Sequence, residues 1–249
     1  MITLRRNAAR RHVQEETHNI WHTFTSGTSA ESSPSDFGLL VGLDELWLPP
    51  DGVTAARPPK EEGEVTLYAY KGDLTQEDSA GHSGVLHTGE FQYCIIGRGI
   101  RYREANASRV VGAQIFRISL RPSQADLDST SQQKLFPLGQ RRNTLCVVAS
   151  PDGRRGSLPI LQDALVCSSV LDPGRHLIHT LAEGRSAWLH VVEGSVTLQD
   201  IVLAEGDGAG VSGEPAVSFT AREPTEILLV DLGPMPLVPG HQKRKGRDT

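Results

Sequence analysis

Two stretches decide the reading of this chain: Glu64-Val65-Thr66-Leu67-Tyr68-Ala69-Tyr70-Lys71-Gly72 and Trp188-Leu189-His190-Val191-Val192-Glu193-Gly194. Each is a short run of apolar, aromatic and β-branched residues that stops at a charged residue followed by glycine. A run of that length and composition, bounded by turn residues, reads as a strand. Glycine suits the stop because it accepts positive φ with no Cβ clash. The first run leads through a short return strand to Gly89-Glu90, and the second leads likewise to Gly206-Asp207. The shared order of strand, tight turn, return strand and glycine-acid turn is a weak internal repeat, and it predicts a duplicated β-unit.

The rest of the chain has the same texture. Strands are predicted over 37–43, 65–70, 84–86, 92–96, 100–104 and 113–120. After a polar connector they resume over 144–149, 158–161, 164–171, 187–192, 196–198, 209–211, 216–220 and 226–232. Closing such meanders into barrels removes exposed sheet edges. The expected organisation is all-β: a first barrel over 1–121, a connector over 122–140 with room for one short helix, a second barrel over 141–234, and a basic, disordered tail over 235–249. Leu4 and its neighbours suit a first strand.

Composition excludes several functions. Lys and Arg total 25 against 30 Asp and Glu, a formal charge of −5 over 249 residues, which argues against general nucleic-acid binding. The one dense basic run, His241-Gln242-Lys243-Arg244-Lys245-Gly246-Arg247, reads as a solvated end. No stretch approaches the run of about 20 apolar residues that spans a bilayer. The start, Met1-Ile2-Thr3-Leu4-Arg5-Arg6, has no apolar core behind its charge and is not a secretory signal. A soluble, cytoplasmic protein with no membrane partner is expected. Cys94, Cys146 and Cys167 are odd in number and widely spaced, so neither a disulfide framework nor a zinc site is indicated.

The blocks Glu64-x-x-x-Tyr68-x-x-x-Gly72 and Gly97-Arg98-Gly99-Ile100 resemble those of the pirin family. So do His22-Thr23-Phe24 near the start, Gln114 to Leu120 as a strand closing a first barrel, and Ala149-Ser150-Pro151-Asp152-Gly153 with Gly156-Ser157-Leu158 as the entry to a second. The resemblance covers most of the chain. It implies a bicupin, two cupin-type (jelly-roll) barrels in tandem, with a metal pocket in the first barrel only. Members of the family include quercetin dioxygenases and metal-dependent transcription cofactors. The family's ligands are a His-Pro-His element before the first block and a His-x-Glu element after the second. Matching outward from Gly72 and Gly97 places these ligands on Pro58, Lys60, Tyr102 and Glu104, so Glu104 alone survives.

Strand alternation puts Tyr102 and Glu104 on one face and gives Pro58 and Lys60 matching parity. In a barrel built as the family's is, all four meet in one interior. A transition-metal site needs three or four N or O donors. Proline offers none, a lysine is a cation, and a tyrosine must ionise from a pKa near 10. No resident metal and no cofactor are therefore expected. Lys60 is the only cation whose matched position faces Glu104, and an ion pair between them is expected in place of the metal. Cys94 lies in the wall, with its face left open by the sequence, and reads first as a plain buried cysteine; beside Lys60 it would instead be a redox-responsive thiol with a lowered pKa. His82 and His87 read as turn histidines, and His176, His179 and His190 as strand and loop histidines without metal spacing. The Ser-rich stretch from Ser26 to Asp36 reads as a loop near the barrel mouth.

The function expected is a non-enzymatic one, a small-molecule-binding or regulatory protein-interaction role centred on the first barrel. The rival is an enzyme, either a quercetin 2,3-dioxygenase with unforeseen ligands or a metal-free lyase or isomerase using Lys60, Tyr102 and Glu104. The ligand and any protein partner are not written in the sequence.

Overall fold

The structure, a computed structural model, describes residues 1–24, 36–54, 63–79, 81, 83–96, 101–124 and 127–235. Pro58, Lys60, His82, the block Gly97 to Ile100, most of the Ser-rich stretch and the basic run of the tail lie outside the described residues.

The chain is almost entirely strand. It runs through β1 (Ile2–Arg5), β2 (Arg11–Gln14), β3 (Asn19–His22), β4 (Leu40–Leu48), β5 (Gly63–Lys71), β6 (Leu74–Asp78) and β7 (Ser83–Leu86). Next come β8 (Glu90–Ile96), β9 (Tyr102–Asn106), β10 (Ala113–Leu120), β11 (Thr130–Leu135) and the single-turn helix α1 (Leu138–Arg141). The second half holds β12 (Cys146–Ser150), β13 (Leu158–Pro159), β14 (Ala164–Leu171), β15 (His176–Thr180) and β16 (Ser186–Glu193). It ends with β17 (Ser195–Leu198), β18 (Ile201–Ala204), β19 (Gly208–Ser212), β20 (Ala216–Ala221) and β21 (Thr225–Leu232).

Two seven-stranded sheets form the middle of the molecule, in the orders β11-β8-β5-β10-β4-β3-β2 and β1-β19-β16-β21-β14-β12-β13. Each is backed by a smaller sheet, β7-β6-β9 in the first unit and β15-β20-β17-β18 in the second. Alternation sorts the side chains. Val65, Leu67, Ala69, Cys94, Ala113 and Ile115 fill the first barrel, while Ala187, Leu189, Val191, Ile227 and Leu229 fill the second. The opposite faces, with Tyr68, Tyr70, Tyr93, Phe116, Ile118, Trp188, Leu228 and Val230, form one core between the barrels. The central strands are thus buried on both sides and read as near-continuous apolar runs; every residue of β21 is buried.

The repeat read from the sequence is a repeat in space. Gly72 and Gly194 both have positive φ, 69° and 80°. A Cβ on Gly72 would strike the backbone of Gly112 and Ala113, just before and at the start of β10, and one on Gly194 would strike Pro224 and Thr225, just before and at the start of β21. Both turns need glycine for the same two reasons, conformation and close approach.

Two segments depart from the expected domain layout. The first strand, β1, pairs with β19 and so belongs to the sheet of the second barrel. The connector carries β11, which pairs with β8 on the edge of the first sheet. Each barrel therefore borrows a strand from beyond the boundary placed near residue 121.

Three polar clusters tie the barrels together. Glu64, fully buried, accepts hydrogen bonds from the Tyr93 hydroxyl at 2.9 Å and from the backbone N–H groups of Leu161 at 3.0 Å and Gln162 at 2.9 Å. Arg141, in α1, donates to Glu226 at 2.7 Å, to the Tyr68 hydroxyl at 3.0 Å and to Ser168 at 3.0 Å, while Tyr68 donates to Glu226 at 2.5 Å. Arg10, from the loop after β1, pairs with Glu45 at 2.8 Å and donates to the Trp21 carbonyl at 3.0 Å.

His190 sits among these clusters with no exposed surface, edge-on to Phe116, and neither ring nitrogen has a partner among the described residues. Burial first, and the charge of Arg10 second, hold its pKa well below the usual histidine value. The unfolded chain therefore binds a proton at a pH where the folded chain does not, and stability falls as pH drops below about 6.5. His190→Leu is expected to flatten the thermal-unfolding midpoint between about pH 6.5 and 5, above the range in which the depressed Asp73 and Asp231 titrate. An unchanged acid slope in that variant would show that the interface admits the charged ring.

Candidate functional site in the first barrel

The interior of the first barrel carries the polar groups. Ala113 and Ile115 point inward from β10, and alternation sends Arg117 the same way. Arg117 stands opposite Leu67 of β5 and Asp44 of β4. From the backing sheet, Glu104 of β9 points inward with only 6% exposure. Arg117 donates to the Glu104 carboxylate at 2.5 Å. The pairing raises the pKa of Arg117, with the Glu104 charge the largest cause.

Lys60, the expected counter-ion, lies outside the described residues; among the described residues Arg117 is a cation that faces and holds Glu104. The signal was present in the sequence: a lone charged residue at an inward position of a mostly apolar strand.

Around the pair stand Cys94, Tyr102 and His22. Cys94 faces the barrel interior, 7% exposed, which settles the face that alternation left open. Burial pushes its thiol up to about 12, with Glu104 adding to the rise and Arg117 opposing it. A thiol shifted upward is inert at neutral pH, the reverse of the lowered pKa expected of a redox-responsive cysteine. Tyr102 is half-buried, and burial, with Cys94 and Asp78, pushes its phenol up to about 12. Near the mouth, His22 of β3 meets Asp44 at 2.9 Å. The Arg117 side chain keeps 29% exposure.

Of the sequence-predicted site residues, the structure places Tyr102 and Glu104 on the backing sheet and Cys94 on the seven-stranded sheet of the first barrel, while Pro58 and Lys60 lie outside the described residues. Among the other histidines, His87 is exposed beside Asp73 at 2.9 Å. His176 is exposed, and His179 bonds Asp231 at 2.7 Å at the rim of the second barrel.

The second barrel has no counterpart of the ion pair. Gln76 and Leu198 stand equally far beyond the matched glycines; Gln76 pairs with Glu104 and Leu198 with Phe219. Leu67 and Leu189 stand equally far before them; Leu67 pairs with Arg117 and Leu189 with Leu229. Phe219 and Leu229, the positional equivalents, are buried in an apolar core.

Comparison with known proteins agrees with this architecture. The sequence model described as Pirin matches residues 5–118, and that described as quercetinase C-terminal cupin domain matches residues 147–232. A pirin-like protein of Caulobacter vibrioides is 31% identical over 174 residues, covering 70% of this chain and 75% of that protein. The chain belongs to the pirin family. A quercetin 2,3-dioxygenase of Escherichia coli K12 is 29% identical over 235 residues, covering 94% of this chain and all of the relative (100%). Among solved structures, YhhW of Escherichia coli matches with a TM-score of 0.86 at 29% identity, covering 97% of this chain and 100% of that one. A second YhhW structure, in complex with nickel(II), matches with a TM-score of 0.84 at 28% identity, covering 94% of this chain and 100% of that one. This pirin-family chain is thus a bicupin, as its sequence implied, and no helix among its described residues is long and apolar enough to cross a membrane.

The nickel-bound relative makes the donor set of the present chain the deciding chemistry. A mononuclear site asks for several lone pairs converging on one point. Here the one matched carboxylate, Glu104, is engaged by a guanidinium, and the neighbouring phenol and thiol both hold their protons well above neutral pH. Among the described residues, no group of three or more His, Cys, Asp or Glu side chains is placed to hold a metal ion. Proline has no side-chain donor at position 58, and lysine at position 60 brings a cation. Among the described residues, the donors present do not make up such a site.

Proposed function

We propose that this pirin-family protein uses its first barrel as a metal-independent binding site for a small molecule, without oxygenase activity. The observation that carries the reading is the Arg117–Glu104 pair. The guanidinium supplies the positive charge a metal would bring to Glu104, and it engages one oxygen of the carboxylate. The part-exposed Arg117 side chain and the half-buried Tyr102 phenol offer donors to a ligand entering the barrel mouth. The second barrel, filled by Phe219 and Leu229 at the equivalent positions, serves as a packing partner.

A quercetin 2,3-dioxygenase activity is the second reading, favoured by the name of the Escherichia coli relative, which the chain matches along 100% of its length. Metal analysis separates the two. Protein purified without added metal is expected to hold well under one equivalent of nickel, iron, copper, manganese or zinc. It is also expected to gain no oxygen consumption with quercetin after loading. Stoichiometric metal that disappears in Glu104→Ala would establish the dioxygenase reading instead.

A further inference from the structure

An exposed strand edge invites pairing with another chain, and the end strands of this molecule carry devices against it. Arg5 lies on β1, Arg11 on β2 and Lys134 on β11, and β13 ends in Pro159. On β18 the Val202 carbonyl accepts from Arg6 at 2.7 Å, and on β7 the Val85 carbonyl accepts from Gln133 at 3.1 Å. The outer side of β9 is bridged by Val53. Strand β15, His176-Leu177-Ile178-His179-Thr180, has none of these devices: it holds no proline, lysine, arginine or acid. It is the end strand in the order β15-β20-β17-β18.

The hydrogen-bond phase of this edge is fixed at both its ends. Leu181 donates to the Pro215 carbonyl at 2.8 Å, and Ala221 donates to that of Arg175 at 2.9 Å. In an antiparallel pair such bonds recur at every second residue, so the odd-numbered residues bond β20. The backbone N–H and C=O groups of His176, Ile178 and Thr180 therefore point away from the sheet. All three residues are exposed, Ile178 to 61%. The His176 ring does not cover the edge, because it lies back on Thr220 and Ser218 of β20, at 2.9 and 3.3 Å. Exposed charges of opposite sign flank the strand, Arg175 before it and Glu183 after it. Neither makes an ion pair among the described residues, and Asp172, the acid beside Arg175, is held by Arg142 at 2.8 Å and Asn143 at 2.7 Å.

We propose that β15 is a dimer interface, where two copies of this chain join edge to edge, antiparallel, about a two-fold axis at Ile178. Ile178 then faces its own copy, and His176 faces Thr180 of the second copy. In this register each outward backbone group of the strand is bonded, and the four-stranded sheets continue across the dimer. Arg175 stands diagonal to Glu183 of the second copy, within reach of two long side chains, and the axis repeats that contact at the other end. The order of the charges singles out a second copy over an unrelated strand. Antiparallel pairing sets each end of β15 against the opposite end of its twin, so cation meets acid at both.

Sedimentation equilibrium of the full chain is expected to show reversible dimerisation with a Kd of about 1–100 μM, the range of small interfaces. Ile178→Lys sets two like charges against each other on the axis. Ile178→Pro removes an outward N–H and leaves the ladder to β20 in place. Each is expected to weaken the dimer by about 30-fold or more, with circular dichroism confirming that the variants fold. Arg175→Glu alone and Glu183→Arg alone are expected to weaken it by about 10-fold, and the double variant Arg175→Glu/Glu183→Arg to return to within about 3-fold of the parent. Oxidised Ile178→Cys is expected to give a disulfide-linked dimer, because the axis sets the two residues opposite each other. A chain that stays monomeric to roughly 1 mM would overturn the proposal. So would a dimer that both Ile178 variants leave unchanged, or a double charge swap that fails to recover the affinity lost in the single ones.

Discussion

Replacing Glu64 by alanine is expected to cost about 3–5 kcal/mol of unfolding free energy, the largest loss from any single truncation of the inter-barrel polar groups. Glu64 leaves β5 on the inter-barrel side and is fully buried. Its carboxylate accepts from Tyr93, Leu161 and Gln162, joining two strands of the first barrel to the chain just before β14. Alanine removes the acceptor and leaves a hydroxyl and three backbone N–H groups, those of Ser123, Leu161 and Gln162, without it. Each such orphan costs about 1–3 kcal/mol, and the terms overlap because the donors share one acceptor. Glu64→Gln keeps one carbonyl oxygen and is expected to recover part of the loss. Urea titration measures both, and a loss below about 1 kcal/mol for Glu64→Ala would show that water reaches the site in solution.

The second large effect concerns Arg117 and Glu104. Arg117→Met leaves the Glu104 carboxylate buried beside apolar side chains, and Glu104→Gln leaves the guanidinium without its partner. Either single change is expected to cost about 2–4 kcal/mol, below the usual figure for fully buried pairs because the Arg117 side chain keeps 29% exposure. The double variant is expected to lose less than the sum, and less than Arg117→Met alone, because no unpaired charge remains. Additive effects in that cycle would mean that each group is solvated independently. The cycle also bears on function, since removing Arg117 frees the Glu104 oxygen it engages.

Much of the fold was legible in the sequence. The strands over 113–120 and 164–171 appear with the predicted bounds, because both are apolar runs closed by turn residues. The strands that escaped notice are edge or outer ones. All of β11 is exposed, and β15 alternates exposed with half-buried positions. A polar edge strand is held by its backbone partners and leaves no apolar signature. The exchange of β1 into the second sheet was likewise unreadable, since nothing in Ile2-Thr3-Leu4-Arg5 names its neighbour.

The site divides the same way. The absence of histidine at positions 58, 60 and 102 is a fact of the sequence, because donor chemistry belongs to side-chain identity. So is the pair of glycine turns that marks the duplication. Which cation answers Glu104 was decided only by tertiary structure. Arg117 lies thirteen residues further along the chain, on a different sheet, and only closure of the barrel brings the two within 2.5 Å. The same holds for His190, which is buried because two seven-stranded sheets face each other. A sequence fixes what each strand can bury. Only the packing of sheet on sheet fixes what a buried polar group finds beside it, because that depends on register, twist and the distance between strands far apart in the chain.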